Sequence, residues 1–206
     1  MGLDLTLLMA DWEYLSALPI ENRIQELEDA TWSPELDDDH QGRGWAGGWR
    51  WPTDRGDAWC VSYGFFTTTG SYRPHACAGA AWADMRLLVD SSVRESMDTF
   101  LIGLIWDPDS AGDRAPTGYE GFFPPAPDPW HPRVLLMCPP DAVSGKAQAW
   151  VRVESQLEQL RQPFIEECAG WAGRPDTFED FTELLREWGG VTTEAGRHGW
   201  GLVGLP

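Results

Sequence analysis

Two stretches of the chain alternate between hydrophobic and polar residues, which is the period of a strand with one buried face. The first covers residues 3–7 and continues into Leu8 and Met9, so it predicts an opening strand. The second covers residues 59–65, and its apolar positions are aromatic or β-branched, as in many strands. The alternating positions are Leu3, Leu5 and Leu7 in the first stretch and Trp59, Val61, Tyr63 and Phe65 in the second.

Helical spacing follows the opening strand. Asp11 can accept hydrogen bonds from the free N–H groups of a first helical turn, so we expect it to cap a short helix that reaches Leu18. Pro19 suits the start of another helix because its ring already holds a helical φ angle. The apolar positions on one face of this second helix are Ile20, Ile24 and Leu27.

A polar turn over residues 67–75 follows the second strand, and a helical pattern begins near Ala80. The residues Ser92 to Glu95 fit a capping box, in which each side chain bonds the other's backbone N–H group. Asp107 and Pro108 are expected to end the helix that follows. Its apolar stripe consists of Val93, Met97, Phe100, Leu101, Leu104 and Ile105.

Helices dominate the second half of the chain. A continuous apolar run over residues 134–138 predicts a buried strand. The longest helical pattern then extends from about Asp141 to Cys168, and Pro163 should kink or divide it.

Thr177 can cap a further helix, which we expect Gly189 and Gly190 to stop. Residues 200–205 can form a closing strand. Because these helices do not alternate regularly with strands, the pattern predicts an α+β fold. We expect a small mixed sheet of about four strands packed by four or five helices, with helices dominating the C-terminal half.

The whole chain, residues 1–206, is predicted to be a single domain with two long irregular segments. These segments cover residues 33–58 and 107–132, which are rich in Gly, Pro and Asp. The first also holds Trp45, Trp49 and Trp51 beside arginines, so it is expected to pack against the body of the protein. Whether these tryptophans form a binding platform or a local core stays open.

The charge balance narrows the classes of partner. The 206 residues include 33 acidic and 15 basic ones, a formal net charge of -18. Nucleic acids and anionic membranes would be repelled, and no apolar run approaches the roughly 20 residues that span a bilayer. The negative charge favours a basic protein as the partner, while the oligomeric state stays open.

The first residues lack the positive region of a secretory signal, so a cytoplasmic location is expected. The four cysteines form no C-x-x-C pair, which favours reduced and mostly buried thiols. Fourteen of the 15 basic residues are arginine, a usage typical of a GC-rich bacterial genome.

The usual catalytic and cofactor motifs are missing from the sequence. It contains no P-loop, no dinucleotide-binding glycine pattern, no nucleophile elbow and no H-E-x-x-H. We therefore expect no cofactor and leave open whether the protein is an enzyme. Cys60, His75 and Cys77 could supply zinc ligands, but the paired short spacings of structural zinc sites are missing and buried thiols are favoured.

Residues 63–84 contain several side chains that could bind a ligand or react with it. They lie around the connection between a strand and a helix, where ligand sites are common. Arg73 could bind a carboxylate or phosphate, and His75 could act as a general base oriented by Asp84. Cys77 could be a nucleophile if a neighbouring Arg73 or His75 activated it. Purely structural roles are the alternative for each. The candidate ligand-binding residues are Tyr63, Tyr72, Arg73, His75, Cys77, Trp82 and Asp84.

A second candidate surface lies in the first irregular segment. A run of three aspartates could hold a divalent ion, although a solvated charge run is the favoured interpretation. Together with the nearby tryptophans it could contact a partner protein. The candidate partner-binding residues are Asp37, Asp38, Asp39, Trp45, Trp49 and Trp51.

Three short stretches resemble the YfbM-like family of uncharacterised bacterial proteins. They are the Met1-Gly2 opening of the first strand, residues 138–143 leading into the long helix, and residues 187–203 at the end. The tryptophan-rich stretch over residues 41–59 departs from that family. The resemblance implies an α+β fold and no mechanism.

Two functional hypotheses follow from the sequence. The first is an interaction or immunity-type protein that binds a basic partner through its negative surface. The second is a small-molecule binding protein or enzyme that uses residues 63–84, with Arg73, His75, Tyr72 and Trp82 converging on one pocket.

Overall fold

The structure is a computed structural model that describes residues 3–31, 47–52, 58–108, 121–126, 128 and 132–206. Its strands form one antiparallel sheet in the order β2-β3-β1-β5-β4. The strands are β1 (Thr6–Ala10), β2 (Gly48–Arg50), β3 (Cys60–Gly64), β4 (Leu136–Cys138) and β5 (Gly201–Leu205). The α-helices are α1 (Trp12–Ala17), α2 (Arg23–Thr31), α3 (Arg73–Met85), α4 (Ser91–Leu101), α5 (Pro140–Val153), α6 (Arg161–Glu167) and α7 (Phe178–His198).

The α+β class and the helical C-terminal half are confirmed. The sheet has five strands in the described ranges, and all its pairings are antiparallel rather than mixed. The additional strand, β2, lies inside segment 33–58, so the expectation of an irregular segment was wrong there. Most of segment 107–132 lies outside the described residues.

Strand β1 is at the centre of the sheet and is buried on both faces. Leu7 and Met9 contact a large core, while Leu8 and Ala10 contact a smaller core on the opposite face. The prediction of one buried face was wrong because helices cover both sides of the sheet. A central strand of this kind needs apolar residues at consecutive positions, as residues 7–10 provide.

The large core lies between the sheet and helices α3, α4, α5 and α7. Its bulkiest fully buried side chains include Trp82, Phe100, Phe181 and Trp188. Helices α4 and α7 both pack on α5, which places α5 between them.

The smaller core is covered by α1 and α2, a layer that we call the α1–α2 layer, residues 11–31. Leu15, Ile24 and Leu27 project from these helices onto the sheet and are fully buried. The prediction that Asp11 caps the first helix is confirmed, because its Oδ1 accepts the Glu13 and Tyr14 backbone N–H groups at 2.9 and 3.3 Å.

Several predicted helix ends differ from the structure. Helix α3 begins at Arg73, seven residues before the pattern at Ala80. Helix α4 is capped by Asp90, which accepts the Ser92 backbone N–H at 2.9 Å, so the capping box from Ser92 to Glu95 was wrong. It also ends at Leu101, before the predicted stop at Asp107.

The long helix predicted over residues 141–168 is divided. A 3-10 segment over Glu154–Leu160 separates α5 from α6, so the break precedes Pro163, which lies inside α6. The cap at Thr177 is confirmed, with Asp180 completing a capping box.

The stop predicted at Gly189 and Gly190 was wrong, because α7 continues to His198. Gly189 instead gives Trp150 room to pack, since an added Cβ would lie 2.1 Å from the indole ring. Gly199, with a φ of 67°, ends the helix in the left-handed conformation that glycine favours.

Candidate functional site

Helix α3 carries most of the candidate ligand-binding residues, and its helical period divides them between two faces. His75, Ala78, Trp82 and Met85 follow each other at intervals of three and four residues and are buried. The residues Arg73, Cys77 and Asp84 lie on a different face and are partly or fully exposed. The candidates therefore do not converge on one pocket, and the pocket expected around Arg73, His75, Tyr72 and Trp82 was wrong.

His75 is a buried, neutral part of the large core. Its side chain is fully buried, and the Phe65 and Trp188 rings pack edge-on against it at centroid distances of 4.5 and 5.6 Å. The Trp188 indole N–H donates a hydrogen bond to His75 Nδ1 at 3.1 Å. Burial lowers the pKa of His75 to about 3. This histidine cannot serve as the expected general base on a solvent-facing ligand.

The partners expected around His75 have other roles. Asp84 does not orient it but pairs with Arg174, whose Nε donates to the Asp84 carboxylate at 2.7 Å. The Trp82 indole N–H donates to Asp98 at 2.9 Å, and Asp98 also pairs with Arg86. Tyr72 stacks near the His75 ring with centroids 6.2 Å apart.

Arg73 and Cys77 line an open cleft of about 460 Å³ between α3 and α7, which we call the α3–α7 cleft. The volume lies in the range of small-molecule sites. One wall consists of Thr67, Arg73, Pro74 and Cys77, and the other of Arg174, Pro175, Asp176, Asp180 and Leu184.

Several charged groups of this cleft are already held by neighbours. Arg174 is fixed by its two contacts with Asp84, and the Asp180 carboxylate accepts the Thr177 hydroxyl at 2.6 Å. Within the described ranges, the Arg73 guanidinium and the Asp176 carboxylate make no hydrogen bond or ion pair. One free cation and one free anion therefore face the cleft.

Tyr63 lies away from the cleft, near the edge of the sheet. Its ring packs against Trp49 and Phe65 at centroid distances of 4.9 and 5.1 Å. Burial, with a smaller effect from the charge of Glu187, raises the pKa of Tyr63 to about 12. The Glu187 carboxylate itself accepts the Phe66 backbone N–H at 2.9 Å. This tyrosine is a neutral packing residue at neutral pH.

The described tryptophans of the first irregular segment pack on the body of the protein. Trp49 and Trp51 are partly buried against the large core, and Trp51 lies 5.3 Å from the His198 ring. The expectation that they pack down is confirmed for these two. Asp37, Asp38, Asp39 and Trp45 lie outside the described residues.

The cysteines are spread through the structure. Cys60 faces the smaller core, whereas His75 is packed in the large core on the other side of the sheet, so the zinc ligands considered with Cys77 are not brought together. In the part of the chain that is described, no three His, Cys, Asp or Glu side chains are grouped to hold a metal. All four cysteines are free, and Cys77 is the one that is not buried.

The α1–α2 layer is strongly acidic. Residues 11–31 contain six acidic residues and one base, Arg23. The Arg23 guanidinium donates to the Ser16, Leu18 and Phe122 carbonyl oxygens at 2.8 to 3.2 Å and lies over the Phe122 ring. It therefore pairs with none of the carboxylates around it.

Sequence reasoning did not find the buried Lys146, the single lysine of the chain. Its ammonium donates to the Thr99 carbonyl oxygen at 3.3 Å and to that of Ile102, at the end of α4. Burial lowers its pKa. In the helical spacing of α5, Lys146 lies beside the apolar positions. This was the one sequence signal that could have predicted its burial.

The second wall of the cleft was also missed. Arg174 and Asp176 lie about a hundred residues after Arg73, in a connection between α6 and α7 without an apolar pattern. No local motif links them to α3.

No helix in the described ranges is both long enough and apolar enough to cross a membrane. Comparisons with known proteins do not add a function. No family model matches the chain, and neither the curated proteins nor the solved structures include a match. The resemblance to the YfbM-like family therefore stays a prediction.

Proposed function

We propose that this protein is an acidic interaction module that binds a basic protein partner. Masking of a basic toxin by an immunity-type protein is one concrete form of this function. The observation that carries the proposal is the uncompensated charge of the α1–α2 layer, which adjoins the aspartates at positions 37–39 in the sequence.

Several carboxylates of this layer are left available to a partner. Glu13, Glu21 and Asp29 are exposed and form no ion pair with any residue that the structure describes. Glu28 pairs with Arg133 at 3.0 Å, but both side chains are 38% exposed, so water and salt weaken that pair. A negative surface of this kind accelerates encounter with a positively charged protein.

The cysteines support a reducing compartment for this function. All four are free thiols, and disulfides are rare in the cytoplasm. We therefore propose a cytoplasmic location for the interaction, and the arginine-rich composition supports the proposal of a bacterial source.

The test is capture of a partner from a lysate of the native source by the wild type and by two charge-reversal variants. Glu21→Lys with Asp29→Lys changes the α1–α2 layer, and both positions are exposed. We expect a captured basic protein that elutes with rising salt, and an affinity about tenfold weaker for this variant.

Glu166→Lys with Glu167→Lys is the matched control. These residues are exposed on α6, on the other side of the sheet, and the change in net charge is the same. The control should bind almost as well as the wild type. Salt-insensitive binding, an acidic captured protein or no captured protein would contradict the proposal.

A further inference from the structure

The α3–α7 cleft contains two opposite charges that do not neutralise each other. Arg73 stands at the first position of α3, and Asp176 lies on the facing wall, in the connection before α7. No ion pair joins them or ties either to another described residue. The cleft therefore leaves room between a cation and an anion.

The neighbouring charges of the cleft are fixed rather than free. Asp84 holds Arg174, and the capping box holds Asp180. These contacts fix the facing wall relative to α3, because Asp84 belongs to that helix. A ligand would meet preformed walls, which reduces the entropic cost of binding.

The uncharged part of the lining includes apolar side chains. Pro74 and Cys77 on one side face Pro175 and Leu184 on the other. Such a surface suits a small aliphatic group, whose burial contributes to affinity in proportion to its area.

We propose that the α3–α7 cleft binds a small zwitterion, an α-amino acid with an apolar side chain. Its carboxylate pairs with the Arg73 guanidinium, which can donate two parallel hydrogen bonds. Its ammonium group pairs with Asp176, and its side chain lies against the prolines and Leu184. This ligand class is independent of the acidic surface that defines the proposed function.

Cys77 provides a direct readout of occupancy, because it lines the cleft and the other three thiols are buried. The rate of alkylation by iodoacetamide is measured by mass spectrometry on the full chain. L-leucine or L-methionine at about 10 mM should slow the modification of Cys77 about tenfold, as expected for a Kd of about 1 mM.

Two analogues of leucine separate the two charges. N-acetyl-L-leucine lacks the ammonium group, and L-leucinamide lacks the carboxylate. Each should protect Cys77 less than about twofold at the same concentration, because one of the two charge-assisted contacts of the zwitterion is lost. Equal protection by either analogue would overturn the assignment of a zwitterion.

Arg73→Gln and Asp176→Asn remove one charge each at exposed positions, and both should abolish protection by L-leucine. The alkylation rate of each variant without ligand is its own reference. Arg152→Gln, an exposed arginine on α5, is the matched control and should keep the protection. Unchanged melting temperatures show that the variants are folded.

Failure of both amino acids to slow the modification of wild-type Cys77 would overturn the proposal. So would protection that survives Arg73→Gln, since the ligand would then lie elsewhere.

Discussion

At the scale of single residues, His75 shows how the fold determines a charge state. The large core holds its ring neutral, with a pKa of about 3 against an ordinary value of 6.5. Below pH 6.5 the unfolded chain binds a proton at this histidine while the folded chain does not. Stability is therefore complete above pH 6.5 and falls as the pH drops toward 3.

This titration can be measured as a difference between the wild type and His75→Asn, whose Oδ1 takes the place of Nδ1 as the acceptor for the Trp188 indole. Between pH 7 and pH 5 the wild type should lose about 2 kcal/mol more unfolding free energy than the variant. Urea denaturation at each pH measures it. Identical pH profiles for the two proteins would contradict a neutral buried His75.

Glu187 acts in the opposite direction. Desolvation raises its pKa, so the folded chain binds a proton there before the unfolded chain does, and stability rises as the pH falls between those two values. The comparison with His75→Asn removes this contribution because both proteins contain Glu187.

The separation of the α3 residues could have been found in the sequence. Spacings of three and four residues connect His75 to Ala78, Trp82 and Met85, which is the signature of a buried face. The prediction of a polar turn over residues 67–75 left His75 outside the helix, so its spacing to the later apolar positions was missed. The helix starts at Arg73 without a side-chain cap that would have marked its first residue. Local signals of this kind are weak where tertiary packing supports the first turn.

At the scale of secondary-structure elements, two adjacent glycines of α7 have opposite environments. Gly189 faces Trp150, with no space for a Cβ, whereas Gly190 is exposed and has no atom within 4 Å of an added Cβ. At Gly190 the glycine only lowers helix propensity relative to alanine, because a side chain would have space there. At Gly189 the packing of the Trp150 indole requires a residue without a Cβ.

Alanine substitution at each position tests that contrast. Gly189→Ala should destabilise the protein by about 3 kcal/mol, because the buried Trp150 ring must move. Gly190→Ala should stabilise it by about 0.5 to 1 kcal/mol. Thermal and urea unfolding measure both, and equal effects of the two substitutions would contradict the helical register of α7.

The start of a helix could be predicted from the sequence where a side chain caps it. The caps at Asp11 and Thr177 follow from carboxylate and hydroxyl chemistry that the sequence displays. The continuation of α7 through Gly189 and Gly190 was not predictable, because packing on α5 outweighs the poor helix propensity of glycine. The 3-10 segment between α5 and α6 likewise contains no residue from which it could have been predicted.

At the scale of the whole molecule, the net charge of -18 opposes the compact state. Raising sodium chloride from about 20 mM to about 200 mM shortens the screening length and should raise the melting temperature by a few degrees. Sodium acetate at equal ionic strength should act alike, which excludes specific binding of chloride. A lower melting temperature would show that ion pairs outweigh repulsion.

The global arrangement was only partly contained in local patterns. Alternation and spacing gave the α+β class, but they could not show that helices cover both faces of β1. The α3–α7 cleft needs Asp176 to face Arg73 across a contact that joins distant parts of the chain. Such contacts depend on how the helices pack, and one sequence does not display them.

The pairing of β1 with β5 has a consequence for how the protein is made. Thr6 is opposite Leu205 and Ala10 is opposite Gly201, so the middle of the sheet joins residues separated by nearly the whole chain. During synthesis, one edge of β1 can pair early with β3, but the edge that pairs with β5 must wait until residue 205 has left the ribosome. Until then its backbone is open to pairing with other chains, so chaperone protection during translation matters more here than in folds built from local hairpins.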